Sequence, residues 1–208
     1  MDNAALTPHA SDEPQDVADL RGAPRYTLLI RAAKLVSHHG EFVCVIRDVS
    51  ETGVSIRLFH ALPDDKTLEL HMPGGRAYEL RAVWQRENEA GCEFLEPVDV
   101  TQLVNEAGEY PKRGLRLNLL FPITISTLTQ RVEGVVENFS QQGARFECDG
   151  LFAIQQNLRI ESEEFKEIRA KVRWRRDQHY GVVFDDTFTL GDFARLAARI
   201  QAPMLLKE

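Results

Sequence analysis

The sequence predicts an all-β fold, a barrel or a sandwich, built from two copies of one module with a short helix after each copy. Three observations predict it. Short runs of alternating apolar and polar residues recur between turn-forming residues. The same pattern returns after a shift of 90 residues. Two stretches adopt a helical period instead, around residues 100–107 and 190–200, and each follows a set of strands.

Residues 1–20 carry five acidic residues (Asp2, Asp12, Glu13, Asp16, Asp19), no Lys or Arg, and no apolar period. They read as a disordered acidic leader. The first module is expected over 21–97. Its strands are Leu28–Val36, Phe42–Val49 after the His38-His39-Gly40 turn, and the alternating Val54, Ile56, Leu58. Leu68, Leu70 and Met72 follow and are broken by Pro73-Gly74-Gly75, then come Tyr78–Trp84 and Cys92–Leu95. Residues 98–111 form a helical linker: Val100, Leu103, Val104 and Ala107 share a face and Gly108 is a natural stop. The second module covers 112–188. Residues 189–208 are a terminal helix and tail, with Thr189 and Asp192 placed as a capping box before the stripe Leu190, Phe193, Leu196, Ala197, Ile200.

The repeat organises the chain. Shifted by 90, Asp48-Val49-Ser50-Glu51-Thr52-Gly53 falls on Asn138-Phe139-Ser140-Gln141-Gln142-Gly143. Leu68 falls on Leu158, Trp84 on Trp174, Arg86 on Arg176, Gly91 on Gly181 and Phe94 on Phe184. Residues 48–94 hold seven identities without a gap, and both tryptophans of the chain match each other.

Composition excludes several classes. The chain has 208 residues, 43% hydrophobic and 27% charged, ordinary for a globular protein. Its 25 basic and 32 acidic residues give −7, a poor balance for a nucleic-acid binder. Cys44, Cys92 and Cys148 are odd in number and far apart, so neither a disulfide framework nor a zinc knuckle is expected. No apolar run is long enough to span a bilayer, and the start lacks signal-peptide character, so a cytoplasmic location is expected.

One set of residues points to a ligand. Arg21 and Arg25 are separated by three residues, and Asp48-x-Ser50-x-x-Gly53 begins 23 residues after Arg25. A tryptophan and a Gly-x-x-Phe follow (Trp84, Gly91, Phe94). In this order and spacing the set resembles the PilZ domain, over nearly all of 21–97 and again over 112–185. The resemblance implies a six-stranded β-barrel in each module and binding of the bacterial second messenger cyclic di-GMP. It further implies that Arg21, Arg25, Asp48, Ser50 and Gly53 form the binding site. The chemistry suits them: arginine forks onto phosphate or the guanine O6/N7 edge and stacks on bases. A carboxylate accepts from guanine N1 and N2, and glycine permits close backbone approach or a positive φ.

The second copy departs from this pattern. Asn138, Ser140 and Gly143 satisfy the turn, but the arginine pair becomes Lys112 and Arg116 with Arg113 between them. Arg116 lies 22 residues before Asn138, so the match needs a one-residue gap. Lysine is a point charge and does not reproduce a planar fork, so weaker binding is expected here.

Other features read as structural. Trp84 and Trp174 are expected in the barrel cores, and Gly91 and Gly181 at tight turns or bulges. His38-His39 with Glu41 reads as a solvated turn with no metal, since neighbouring strand residues face opposite ways. The basic stretch Arg169, Lys171, Arg173, Arg175, Arg176 fits an exposed strand face, a docking surface or an added edge of the second site. No catalytic motif is present. The expected function is a non-enzymatic cyclic di-GMP receptor with no cofactor. It would signal through a separate protein partner, in processes that the resemblance places in motility, exopolysaccharide or biofilm control. The alternative is an adaptor of two PilZ-like barrels that binds protein and no nucleotide.

Overall fold

The structure, a computed structural model, describes residues 26–104 and 114–206. The leader 1–20 and the candidate residues Arg21, Arg25, Lys112 and Arg113 lie outside the described residues.

The first barrel is built from β1 (Tyr26–Ser37), β2 (Gly40–Val49), β3 (Gly53–Arg57), β4 (Leu68–His71), β5 (Ala77–Arg86) and β6 (Glu89–Phe94). It closes in the order β1-β2-β3-β6-β5-β4, with every pairing antiparallel. Period two decides the faces. Val54 and Ile56 of β3 and Leu68 and Leu70 of β4 point into the core, while Glu69 between the leucines stays outside. The short helix α1 (Val100–Val104) follows. Asp99 caps it by accepting from the Gln102 N–H at 3.1 Å, and Leu103 is fully buried under the barrel.

The second module begins with the two-residue strand β7 (Arg116–Leu117) and continues through β8 (Phe121–Ser126), β9 (Arg131–Ser140), β10 (Gly143–Cys148), β11 (Asn157–Ser162), β12 (Phe165–Arg176) and β13 (His179–Phe184). The β9–β10 and β8–β11 pairings close a second six-stranded barrel, with β7 added on β9. Registers locate the gap between the repeats. Tyr26 faces Val49, and Leu117 faces Phe139, the repeat equivalent of Val49. Arg31 opposite Ile46 and Phe121 opposite Val136 are back in step at a shift of 90. The first copy therefore has one extra residue where its leading strand crosses the barrel rim. Leu117 is the counterpart of Tyr26, and Arg116 the counterpart in sequence of Arg25.

The terminal helix α2 (Leu190–Gln201) is held at its start as its sequence implies: Thr189 Oγ1 accepts from the Asp192 N–H at 3.1 Å and donates to the Asp192 carboxylate at 2.6 Å. It serves both barrels. Phe193, Leu196 and Ala197 enter the second core, while Ala198 enters the first, joined there by Ala202 and Leu205 just beyond the helix end. The outward-facing Val43 of β2 is buried in the second core as well. Phe42–Ile46 is consequently a continuous buried run, with Phe42, Cys44 and Ile46 facing inward and Val43 under the helix. A polar clasp borders this seam. Gln201 accepts from the Glu41 N–H at 2.9 Å and donates to the Glu41 carbonyl at 2.6 Å; Asn118 donates to both Glu41 carboxylate oxygens at 2.7 and 2.9 Å. No helix among the described residues is long and apolar enough to cross a membrane.

His60 is a buried titratable group beside the first core. Its ring lies 4.7 Å from that of Phe42, Nδ1 donates to the Ala61 carbonyl at 2.6 Å, and Nε2 is buried without a partner among the described residues. Burial lowers its pKa below 6.5, with the Ala61 bond opposing. Between the two values the unfolded chain binds the extra proton. This stability contribution is therefore complete above pH 6.5 and lost as pH falls below it. The melting temperature is expected to fall as pH drops from 7 toward 5, and to fall less in His60→Asn. Equal acid sensitivity of the two proteins would contradict this assignment.

Candidate ligand-binding site

Each candidate site starts at a tight connection between two strands. In the first barrel the Ser50 N–H donates to the Gly53 carbonyl at 2.8 Å, and Ser50 Oγ accepts from the Gly53 N–H at 3.2 Å. In the second, Ser140 Oγ donates to the Gly143 carbonyl at 2.9 Å. The serines are therefore buried turn-closing residues in both copies. The glycines are needed for close approach: a Cβ at Gly143 would lie 2.1 Å from the Val182 carbonyl oxygen, and one at Gly53 3.0 Å from that of Cys92. Neither has a positive φ.

Beside each turn lies an open cleft. The first, about 270 Å³, brings together Asp48, Ser50, Gly53, Trp84 and Glu93. The half-buried Asp48 sits one strand position from the point where Tyr26 pairs with Val49. Cys92 forms part of the wall; burial pushes its pKa up to about 11, so it is a thiol and no nucleophile. The second cleft, about 440 Å³, joins Arg116, Asn138, Ser140, Arg145, Arg173 and Trp174. Here β7 places Arg116 directly opposite Ser140. Arg145 is also paired with Glu137, Nε to Oε2 at 2.5 Å. The described lining of the first cleft carries two carboxylates and no arginine, whereas that of the second carries three arginines and no carboxylate.

The tryptophans differ from expectation. They are not core residues: Trp84 is 41% and Trp174 44% exposed, and each lines its cleft. A register shift in β5 between Ala82 and Trp84, and in β12 between Val172 and Trp174, turns the indole across the neighbouring strand. The floor beneath it is a glycine, because a Cβ at Gly91 or Gly181 would come within 2.0 Å of the indole Nε1. The guanidinium of Arg86 lies 5.9 Å from the Trp84 ring. An exposed aromatic face beside a polar turn is suited to stacking a planar base. The Trp-to-Gly spacing held this signal in the sequence, because a large residue repeatedly paired with glycine marks a ring laid across backbone. Arg173 forms an edge of the second cleft, one of the three readings open for the basic stretch. Arg145 had no signal beyond its position two residues after Gly143.

Gly181→Ala is expected to displace Trp174. The extra methyl overpacks the site at a cost of about 1–3 kcal/mol. In a Trp84→Phe background the emission of Trp174 should shift on this substitution, and an unchanged spectrum would count against the stacked geometry.

The PilZ domain model matches residues 19–107 and again 111–202, most of the chain. The chain belongs to the PilZ domain family. It is a tandem PilZ protein, both barrels carrying the serine–glycine turn. Among solved structures it is similar to PlzA of Borreliella burgdorferi in complex with c-di-GMP, at 13% identity and a TM-score of 0.33, over 83% of this chain and 88% of that one. It is also similar to the Bacillus subtilis inhibitor of motility MotI/DgrA, at 14% and 0.35, over 86% and 99%. A third is YcgR of Escherichia coli in complex with c-di-GMP, at 10% and 0.33, over 84% and 83%. No curated protein matches the chain.

Proposed function

We propose that this tandem PilZ protein is a non-enzymatic receptor for cyclic di-GMP. The observation that carries the reading is the register of β7, which sets an arginine of the leading segment opposite the Ser140–Gly143 turn and beside the exposed indole of Trp174. The same plan in the first copy assigns the ligand to Arg21 and Arg25, with Asp48 accepting from guanine donors and Ser50 and Gly53 shaping the turn. Ordering of the arginine-bearing segment over the ligand then changes the surface offered to a separate protein partner, in control of motility, exopolysaccharide or biofilm. The ligand biases that change only by its differential affinity for the two arrangements. The first copy is the tighter site, because both arginines of the motif are present there. Lys112, Arg113, Arg116, Asn138, Ser140 and Gly143 form the weaker one.

A second reading exchanges that ranking. Arg145 and Arg173 stand where the first copy has Ser55 and Val83, and they supply two further guanidinium groups to the second cleft. Equilibrium dialysis with labelled cyclic di-GMP tests the function itself. Retention competed by unlabelled cyclic di-GMP but not by GTP, with the nucleotide recovered intact, is the expected result. No retention would overturn the receptor reading, and recovery of a linearised or cleaved nucleotide would overturn the non-enzymatic one. Arg25→Ala and Arg116→Ala proteins then show which copy dominates.

A further inference from the structure

We propose that the β1–β2 turn of the first barrel and the loop at residues 64–65 form a binding site for a divalent transition-metal ion of the zinc class, with His38, His39 and Asp64 as ligands and Asp65 as the residue that positions His38. A wholly solvated turn requires the side chains of His38 and His39 to diverge. They do not. Residues 38–39 are turn residues, and their rings lie on one side with centroids 3.8 Å apart. A loop some 25 residues later in the chain comes up against them, so the group is tertiary and not an accident of local spacing.

Three features of the geometry point to an ion. One ligand atom from each of His38, His39 and Asp64 falls within 4.8 Å of the other two. His39 Nε2 and Asp64 Oδ1 are 3.4 Å apart. Two donors on one tetrahedral zinc, each about 2.0–2.2 Å from the metal, are separated by about 3.3–3.5 Å. The third feature is Asp65. Its Oδ1 accepts both from the His38 ring Nδ1 and from the His38 backbone N–H, the latter at 3.0 Å. A carboxylate bonded to one ring nitrogen of a histidine fixes its tautomer and leaves Nε2 as the ligating atom, the usual support behind a metal-bound histidine. Asp65 is itself enclosed: its side chain is 8% exposed, and Oδ2 is buried without a partner among the described residues. A buried carboxylate aimed at an exposed imidazole is costly unless a charge beyond the ring compensates it.

The other cluster of this kind, Glu137, Glu147 and His179, is a useful contrast. There the Arg145 guanidinium already sits 2.5 Å from Glu137 and supplies the positive charge an ion would bring. No arginine or lysine is paired with Asp64 or Asp65 among the described residues; their partners are the two histidines. Three protein donors leave a fourth position to water. The neutral imidazoles and carboxylate suit zinc, nickel or copper better than magnesium or calcium, which prefer oxygen throughout. The site lies immediately before Glu41, whose backbone and carboxylate hold Gln201 and Asn118. An ion there stiffens the turn on which that clasp is built.

The test is titration of tag-free protein with zinc chloride, read by competition with a chromophoric chelator, with far-UV circular dichroism on each variant. One zinc per chain is expected. His39→Ala and Asp64→Asn should each weaken binding by about tenfold or more, Asp65→Asn by about tenfold through loss of the supporting carboxylate, and His179→Ala not at all. Absence of zinc binding by the unsubstituted protein overturns the proposal, as does equal affinity in the His38→Ala/His39→Ala double variant. Should that double variant fail to fold, the exposed Asp64→Asn change decides: unchanged affinity there is equally fatal.

Discussion

Replacing Arg25 with alanine is expected to abolish tight binding of cyclic di-GMP while leaving the fold intact. The residue precedes the first described strand position of the barrel, Tyr26, and a charged side chain there is not expected to be part of a hydrophobic core. Its role in the proposed site is a bidentate, charge-assisted contact, and loss of such a contact costs about 2–4 kcal/mol, roughly thirty- to a thousandfold in Kd. Arg116→Ala is the matching change in the second copy, where the effect on the tight site should be small. Lys112→Arg should strengthen residual binding there, because it restores the planar fork. Calorimetric titration checks all three. Wild-type affinity in Arg25→Ala with a large loss in Arg116→Ala would transfer the main site to the second barrel.

The second large effect concerns stability. Phe139 lies between Asn138 and Ser140, so alternation along β9 sends its ring into the core while its neighbours reach the cleft and the turn. It is 1% exposed and its ring centroid lies 5.0–6.2 Å from those of Phe121, Phe165, Phe184, Phe188 and Phe193. Phe139→Ala removes the hub of this cluster and is expected to cost about 3–5 kcal/mol. Phe193 belongs to α2, which also enters the first core, so the loss should be felt by both barrels. Chemical denaturation followed by circular dichroism measures it. A loss below about 1 kcal/mol would mean that the cluster collapses to fill the space.

Much of this architecture was legible in the residues. The alternating strands, the repeat at a shift of 90 and the Thr189–Asp192 cap each express a local rule, period two or an end-of-helix hydrogen bond, that needs no tertiary knowledge. What escaped is what the barrels do to each other and to exposed side chains. Phe42-Val43-Cys44-Val45-Ile46 is apolar at five successive positions, which in an antiparallel barrel means that something covers the outer face. The covering element is α2, some 150 residues away in sequence, and no local pattern names it. The sequence places Trp84 and Trp174 in the core because large aromatics usually lie there, yet a one-residue register shift in the strand carries each indole outside, onto a glycine. His38 and His39 converge for a related reason, since they lie in a turn where strand alternation no longer applies. In the candidate site the serine–glycine turns were readable because such turns are local. Arg145 and Arg173 were not readable as a pair, because they join the second cleft from different strands.

Reception of cyclic di-GMP by this pair of PilZ barrels is open to one direct measurement. Isothermal titration of the full, unsubstituted chain with cyclic di-GMP tests it most directly. Saturable heat with one tight site per chain is expected, any second site being clearly weaker. No heat and no thermal shift at saturating nucleotide would contradict it and leave the adaptor reading. Two sites of equal affinity, each lost with its own barrel's arginine, would contradict the ranking of the copies.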